Sequence, residues 1–196
     1  MRFAAIADVH GNHLALEAVL ADIRKQGVTA IVNLGDCFSG PLTAGKTAEV
    51  LLGLDALTVR GNHDRYLIER APEAMHVSDR AAHSELTDRH LEWLRGLPFS
   101  ANYLDEVYLC HATPTDDNVY WLESVSVDGY VHLKPLEEIE ALAAGIDFPL
   151  ILCGHTHIPR AVRLSDGRLI VNPGSVGCPA YDDDLPHYHK VEARHP

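Results

Sequence analysis

Residues 59–67 read VRGNHDRYL and place a glycine, an amide, an imidazole and a carboxylate side by side. Val59 ends an apolar run, and a stretch compatible with a helix begins at Arg65. Glycine and asparagine adopt turn conformations at little cost, so this segment alone predicts only a turn between a strand and a helix. Its chemical meaning depends on the segments around it.

The segments that precede this turn predict a parallel β-sheet. Three short apolar runs are typical of buried strands: residues 2–7, 30–34 and 56–59. Apolar residues at helical spacing predict a helix between the first two, with Asn12 as its N-cap and Gly27 as its C-cap. Residues 43–54 predict a second helix. The resulting βαβαβ order implies parallel strands with right-handed crossovers.

The second half of the chain has a different pattern. Residues 65–97 predict a helical insertion of two or three helices. Apolar strands follow at 107–112 and 150–155, with a helix that begins at Pro135 between them. The Asp-Gly pair at 166–167 lies between two strand-like runs and predicts a β-hairpin. We therefore expect an α/β fold with a mainly parallel sheet packed on a more antiparallel one, and helices outside.

The composition is that of an ordinary globular protein, because 46% of the 196 residues are hydrophobic and 22% are charged. This length predicts a single domain over residues 1–196. None of the four cysteines forms a CxxC pair, so a disulfide or a thiolate zinc site is disfavoured. We expect them to be small buried apolar side chains near a site: Cys37, Cys110, Cys153 and Cys178.

Charge and hydropathy exclude two classes of partner. No run of about 18 apolar residues is present, so we expect no contact with a membrane. The N-terminal segment lacks the features of a signal peptide, which predicts a cytoplasmic location. A formal net charge of -12 argues against nonspecific binding of nucleic acid, which needs a basic surface. The sequence does not predict an oligomeric state.

Polar side chains follow the carboxyl ends of the predicted strands, where open α/β sheets bind ligands. They are Asp8, His10, Asp36, Asn62, His63, His111, His155 and His157. Asp8 and His10 are two residues apart, as are His155 and His157, so on an extended chain each pair points to one face. Imidazoles, carboxylates and an amide suit first-row divalent ions. A pair of such ions can clamp the attacking and leaving oxygens of a phosphoryl displacement.

The ordered motif set comprises DVH at 8–10, GD at 35–36, GNHD at 61–64, His111 and GHTH at 154–157. Over residues 2–175 this set resembles the calcineurin-like metallophosphoesterase superfamily. NPGSVG at 172–177 resembles its small bacterial phosphodiesterase-type branch. The resemblance implies a four-layer αββα sandwich of two mixed β-sheets flanked by helices, which agrees with the two sheets expected above.

The resemblance also implies two metal sites that share one carboxylate. The first site comprises Asp8, His10, Asp36 and His157. The second site comprises Asp36, Asn62, His111 and His155. His63 matches the catalytic histidine of the family. Two divalent transition-metal ions are expected, manganese first, with iron, zinc or nickel as alternatives.

The expected reaction is hydrolysis of a small phosphorylated substrate without a covalent intermediate. A hydroxide that bridges both ions would attack phosphorus in line. Two divalent ions against Asp8 and Asp36 leave a net positive centre, which suits an anionic phosphate. His63 would give a proton to the leaving oxygen. Asp64 is assigned as a second catalytic residue that orients His63, with a helix N-cap as the alternative role.

Phosphodiesters or nucleotide-type phosphoesters are the expected substrates, and a phosphomonoesterase or protein phosphatase activity of the same site is the alternative. Protein Ser/Thr phosphatases carry a GD motif that ends in Asp-Arg-Gly, followed by GNHE. This chain has GDCFSGP at 35–41 and GNHD at 61–64, which disfavours that subgroup. A non-catalytic interaction module with the same fold is also disfavoured, because such proteins usually lose ligands or the catalytic histidine.

Two segments have no clear place in this scheme. The insertion at 65–97 either covers the site or packs against the rest of the domain. Residues 179–196 are polar, and we expect a truncated or irregular tail. The HYH sequence at 187–189 is expected to belong to that tail and not to the metal site.

Overall fold

The first sheet is the predicted parallel unit. The computed structural model describes residues 2–192. Its first three strands are neighbours in chain order and all pair in parallel: β1 (Ala4–Ile6), β2 (Ile31–Asn33) and β3 (Ala56–Thr58). Two helices connect them: α1 (His13–Lys25) and α2 (Ala44–Leu52). The predicted βαβαβ order is therefore confirmed.

The ends of α1 follow the local sequence. The Asn12 side chain accepts a hydrogen bond from the Ala15 backbone N–H at 3.1 Å, as expected for an N-cap. Gly27 follows the end of the helix with a φ of 70°, a conformation that glycine adopts without steric cost. Both ends of α1 are therefore set by residues that the sequence identifies.

The insertion is helical, as predicted. It contains α3 (Asn62–Glu69), a short 3-10 helix (Pro72–Ala74), α4 (Val77–Glu85) and α5 (Asp88–Gly96). Helix α3 begins three residues earlier than the predicted insertion. As a result, Asn62 and His63 lie in the first turn of a helix and not in an open loop.

The second sheet has five strands and mixed pairing. In spatial order they are β4 (Ser100–Tyr103), β5 (Val107–Cys110), β8 (Leu150–Leu152), β10 (Leu169–Asn172) and β9 (Arg160–Arg163). The three inner strands are parallel, and both outer strands pair antiparallel. Strands β9 and β10 form the predicted hairpin. Helix α6 (Leu136–Leu142) precedes β8.

Three apolar clusters define the layers. The middle cluster joins the two sheets through Ala7, Val32, Leu34, Val59, Val107, Leu109 and Leu152. A second cluster packs helices of the first half and of the insertion onto the first sheet. A third packs α6 onto the second sheet. Helix, sheet, sheet and helix therefore lie in four layers, which confirms the expected αββα sandwich.

Two small hairpins lie outside the main sheets. One pairs β6 (Glu123–Val125) with β7 (Val131–Leu133). The other pairs β11 (Ala180–Asp183) with β12 (His189–Glu192). The expectation of an irregular tail is therefore wrong for residues 180–192. Only alternate side chains of β12 are buried, so its strand pattern is short and easily overlooked.

No helix within residues 2–192 combines the length and the apolar character that a membrane span requires.

Leu109→Ala tests the contact between the two sheets. Leu109 is fully buried in the middle cluster, so we expect its truncation to lower the free energy of unfolding by about 2–5 kcal/mol. Leu14→Ala is the matched control, because that leucine is 67% exposed on α1, and its effect should stay within about 0.5 kcal/mol. Urea titration followed by circular dichroism measures both. Equal effects of the two substitutions would contradict the two-sheet core.

Candidate metal centre

The candidate ligands occupy tight turns at the ends of strands. Five of them have positive φ angles between 47° and 71°: Asp8, His10, Asp36, His155 and His157. The expectation that each i, i+2 pair lies on an extended chain is therefore wrong. Left-handed conformations of residues other than glycine cost roughly 1–3 kcal/mol each and concentrate at functional sites. These strained turns direct the polar side chains toward one cluster of candidate ligands.

Backbone hydrogen bonds hold the strand ends beside one another. The Asp8 N–H donates to the Gly35 carbonyl at 3.0 Å, and the His10 N–H donates to the Asp36 carbonyl at 3.0 Å. Across the sandwich, the Asp8 carboxylate accepts a hydrogen bond from the His155 N–H at 3.2 Å. Ligands from the two halves of the chain therefore meet in one cluster.

The first group of potential ligand atoms comprises Asp8, His10 and His157, all within 4.8 Å of one another. The Nε2 atoms of His10 and His157 are 3.0 Å apart. His157 Nε2 is 3.5 Å from Asp8 Oδ1. Three donors facing one small volume match the expected first site.

The second group comprises Asp36, His111 and His155, again within 4.8 Å of one another. Asn62 adds an amide oxygen, since its Oδ1 is 3.0 Å from His111 Nε2. His111 Nε2 is in turn 3.3 Å from Asp36 Oδ2. Every residue of the expected second site is therefore brought together.

One carboxylate oxygen lies between the two groups. Asp36 Oδ2 is 3.3 Å from His111 Nε2 and 3.8 Å from His10 Nε2. Asp36 is almost fully buried, and its Oδ1 accepts the His63 backbone N–H at 3.0 Å. Its two oxygens are thus held in different hydrogen-bonding environments, with Oδ2 directed at both ligand groups.

Main-chain carbonyls orient the imidazoles. His10 Nδ1 donates to the Ser39 carbonyl at 2.7 Å, and His111 Nδ1 donates to the Leu34 carbonyl at 2.8 Å. With the proton placed on Nδ1, the Nε2 lone pair of each ring is free to bind a cation. In its neutral form, each ring therefore has the tautomer that a metal site at Nε2 requires.

The remaining two histidines are oriented in the same way from other loops. His157 Nδ1 donates to the Cys178 carbonyl at 2.5 Å. His155 instead uses Nε2, which donates to the Asn118 carbonyl at 3.0 Å, so its Nδ1 is the atom available as a ligand. Neither of these carbonyl partners could be identified from a sequence motif, because a carbonyl is present at every residue.

The electrostatics of the cluster favour positive charge. Burial lowers the pKa of His157, but the adjacent Asp8 carboxylate outweighs burial and raises that pKa to about 10. Burial likewise lowers the pKa of His111, and Asp36 reverses the shift and raises the pKa to about 9. The two carboxylates thus stabilise a cation beside each of them, which is the property that a divalent ion would use.

The other two imidazoles favour the neutral form. Burial lowers the pKa of His10 to about 4, and the neighbouring His157 adds to the decrease. Burial also lowers the pKa of His155 to about 4, with a further decrease from His111. A histidine must be neutral to bind a metal, so these two rings are already in the ligand form.

His63 lies beside the first group and is not a member of either group. Its ring centroid is 5.6 Å from that of His10, and its side chain is 30% exposed. His63 Nδ1 is 2.7 Å from Asp79 Oδ1 and 3.2 Å from Ser39 Oγ. The imidazole therefore stands at the open side of the cluster with one nitrogen engaged by the insertion.

The assignment of Asp64 as the residue that orients His63 is wrong. The buried Asp64 carboxylate accepts backbone N–H groups from Asp36 at 2.8 Å, Cys37 at 2.8 Å and Gly61 at 3.0 Å. Burial raises its pKa to about 6, and the nearby Asp36 adds to the increase. Asp64 is the third residue of α3, and its carboxylate accepts the N–H of the N-cap residue Gly61 as well as those of Asp36 and Cys37, so its role is to fix the Asp36 turn at the start of this helix.

Three of the four cysteines are buried, as expected: Cys37, Cys110 and Cys153. Burial raises the pKa of each thiol, so none is a thiolate ligand at neutral pH.

Three tyrosines surround the cluster, and none of them belongs to a sequence motif. Tyr120 packs edge-on against His155 with ring centroids 5.1 Å apart, and Tyr181 packs against His157 at 4.7 Å. Tyr66 lies edge-on to His63 at 5.4 Å. Each aromatic ring limits the rotation of a histidine.

The C-terminal hairpin reaches this rim through a chain of hydrogen bonds. His189 Nδ1 donates to the His187 carbonyl at 2.9 Å, which leaves His189 Nε2 as an acceptor for the Tyr120 hydroxyl at 3.1 Å. The Tyr181 hydroxyl then donates to the Tyr120 oxygen at 2.6 Å. His189 is buried, so the expectation that HYH is unrelated to the site is wrong in part: His189 supports the site without facing a ligand group.

The sequence profile described as the Calcineurin-like phosphoesterase superfamily domain matches residues 1–194. The chain is also similar to an uncharacterized protein of Methanocaldococcus jannaschii, MJ0912. The two are 26% identical over 200 residues, which cover 90% of this chain and 76% of the relative.

Solved structures have the same fold. A metallophosphoesterase from Sphaerobacter thermophilus superposes with a TM-score of 0.71 and 27% identity, covering 99% of this chain and 90% of that one. The hypothetical protein PH1004 from Pyrococcus horikoshii superposes with a TM-score of 0.69 and 18% identity, covering 99% and 88%. Together with the nearly complete profile match, the site geometry leads to one conclusion: the chain belongs to the calcineurin-like phosphoesterase superfamily, a metal-dependent family, and is a hydrolase that acts on ester bonds.

Proposed function

We propose that this protein is a phosphodiesterase that uses two divalent metal ions and acts on phosphodiesters or nucleotide-type phosphoesters. The observation that carries the proposal is the position of Asp36 Oδ2, which lies within 4 Å of an imidazole nitrogen from each ligand group. A shared carboxylate suits two adjacent ions, because one negatively charged group can serve as a ligand to both.

The residues present fit two such ions. The first would be held by Asp8, His10, Asp36 and His157. The second would be held by Asp36, Asn62, His111 and His155. When bound, the ions would supply an activated water and a positive charge for the phosphate. Nitrogen and oxygen donors without thiolates are compatible with manganese, which we propose first, and with iron, zinc or nickel.

His63 would act on the leaving group. Its backbone N–H is fixed by Asp36 Oδ1, and its ring is held by Asp79 and Tyr66. Burial lowers the pKa of His63, whereas the Asp36 and Asp79 carboxylates raise it above the usual value. A histidine beside two carboxylates is stabilised in its protonated form, and it can pass that proton to an oxygen as the P–O bond breaks.

The charge of the site favours a phosphodiester over a phosphomonoester. A diester carries one negative charge, whereas a monoester dianion carries two and gains more from additional cationic side chains. Within residues 2–192, no lysine or arginine has a hydrogen bond or ion pair with a candidate ligand. Arg65 is close to His63 in sequence, but its guanidinium pairs with both oxygens of Asp117 at 2.7 Å.

The remaining expectations stay predictions. A small phosphorylated substrate, a cytoplasmic location and a single domain over residues 1–196 agree with the proposed activity. The alternative of a non-catalytic interaction module is disfavoured, because both ligand groups and His63 are present in one cluster.

Hydrolysis of bis-p-nitrophenyl phosphate and of p-nitrophenyl phosphate tests the proposed function. We expect metal-stripped protein to be inactive and manganese to restore cleavage of the diester in preference to the monoester. His63→Ala should lower kcat by about 10²–10⁴-fold because the proton donor is lost. Asp36→Asn should abolish activity and weaken manganese binding, measured by calorimetry, because the shared ligand loses its charge.

His132→Ala is the control for loss of an imidazole, since His132 lies in the β6–β7 hairpin and stacks on Tyr130. It should retain wild-type activity. Cleavage of the monoester alone would keep the two-ion site and change the substrate class. Tight manganese binding without turnover of either substrate would overturn the catalytic proposal and favour the interaction module.

Gly61→Ala tests the packing that places the shared carboxylate. The φ of Gly61 is -90°, which alanine also adopts, but an added Cβ would overlap the Asp36 carboxylate. We expect manganese affinity to fall by about 10–100-fold, the range for residues that position a ligand. Calorimetric titration measures the affinity.

Gly96→Ala is the matched control, because no atom lies within 4 Å of the Cβ that it adds. Its manganese affinity should equal that of the unmodified protein. If Gly61→Ala also binds manganese normally, the close approach at Asp36 does not support the metal site.

A further inference from the structure

We propose that Asp79, on helix α4 of the insertion, is a positioning residue that holds the His63 imidazole in the orientation needed to protonate the leaving-group oxygen. This inference rests on the proposed function. The sequence alone does not indicate this role, because Asp79 belongs to none of the family motifs.

The contact between the two side chains is short and buried. Asp79 Oδ1 is 2.7 Å from His63 Nδ1, and the Asp79 side chain is 1% exposed. The Ser39 hydroxyl donates to the same Oδ1 atom. Ser39 also supplies the carbonyl that orients His10, so the contact adjoins the first ligand group without including a ligand.

Helix packing alone does not account for Asp79. An acidic residue in the first turn of a helix usually stays near the helix N–H groups at the surface, where the dipole favours it. Asp79 instead points inward, and its Oδ2 is buried without a hydrogen-bond partner among residues 2–192. A buried unpaired carboxylate oxygen is unfavourable, and such groups in native structures call for a functional explanation.

The geometry of His63 shows what the contact achieves. Its backbone is fixed by the bond to Asp36, so only the side-chain torsions remain to be set. The Asp79 carboxylate accepts a hydrogen bond from His63 Nδ1, and the Tyr66 ring packs edge-on against the imidazole and limits its rotation. Nε2 is then the ring nitrogen left for proton transfer.

The proton balance is simple. The oxygen of the attacking water forms the new P–O bond, and the bond from phosphorus to the leaving oxygen breaks. The proton on His63 Nε2 moves to that leaving oxygen, while the Nδ1 proton stays hydrogen-bonded to Asp79. The proton released by the attacking water goes to solvent, and His63 is reprotonated from solvent before the next turnover.

The insertion therefore has a role in the reaction as well as in packing. Helix α4 is anchored at its far end, where Glu85 accepts the Gly45 N–H at 3.2 Å. Its first turn carries Asp79 to His63. Both roles that the sequence left open for this segment, covering the site and packing against the domain, meet in one helix.

Leaving-group dependence tests the proposal in the manganese-loaded full-length protein. The substrates are methyl p-nitrophenyl phosphate, whose phenolate leaves readily, and methyl phenyl phosphate, whose leaving oxygen needs a proton. Asp79→Asn keeps the size of the side chain and removes its charge. We expect kcat for the phenyl ester to fall at least about tenfold more than kcat for the nitrophenyl ester, with KM for both unchanged, because an acid catalyst contributes about 10²–10⁴-fold where it is needed.

Two controls separate positioning from a structural effect. Glu73→Gln removes an exposed carboxylate from the same insertion and should leave both rates unchanged. Asp79→Asn placed in the His63→Ala background should cause no further loss, because two residues that act through one proton transfer are not additive. Thermal unfolding of Asp79→Asn checks that the fold is intact, and Asp79→Ala repeats the substrate comparison if the asparagine still accepts the His63 hydrogen bond.

The outcomes are distinguishable. Equal slowing of both esters, or an additive loss in the His63→Ala background, would overturn the role of Asp79 while leaving the proposed function intact. Failure of the unmodified protein to hydrolyse either ester with manganese would overturn the proposed function and this inference with it.

Discussion

The buried carboxylate of Asp36 is the interaction on which the site depends. Its Oδ2 faces imidazoles of both ligand groups, its Oδ1 binds the His63 backbone, and its own N–H is fixed by Asp64. A single side chain thus joins two strands and the first turn of α3. A shift of this side chain would disturb both ligand groups and the proposed proton donor together. Hydrogen bonds to its backbone and to its carboxylate restrict such a shift.

The position of the Asp36 carboxylate depends on locally strained backbone. Asp36 has a φ of 53°, and glycine at position 61 leaves room for its carboxylate. Gly177 similarly lies so close to the Val9 carbonyl that no side chain would fit between them. The strained turns persist because the two-sheet core beneath them is tightly buried, and stability gained in the core offsets strain at the strand ends.

The candidate ligands that can be predicted from the sequence are those that directly follow a recognisable strand. Asp8, Asp36 and His111 end strands whose apolar runs are visible, and the carboxyl ends of parallel strands meet at one edge. Asp79 could not be found in this way, because its position depends on how α4 packs in three dimensions. The extended geometry expected for the Asp8 turn failed for a related reason: local preference favours extended chain, and tertiary hydrogen bonds impose the left-handed turn.

The two segments without family motifs supply the contacts that orient the motif residues. The insertion gives Asp79 to His63, and the segment after the last long strand gives the Cys178 carbonyl and the Tyr181 ring to His157. A ligand atom must be of one chemical type, whereas a supporting contact can come from any nearby donor, carbonyl or ring. The supporting segments can therefore differ in sequence while the ligand atoms keep the same chemical type.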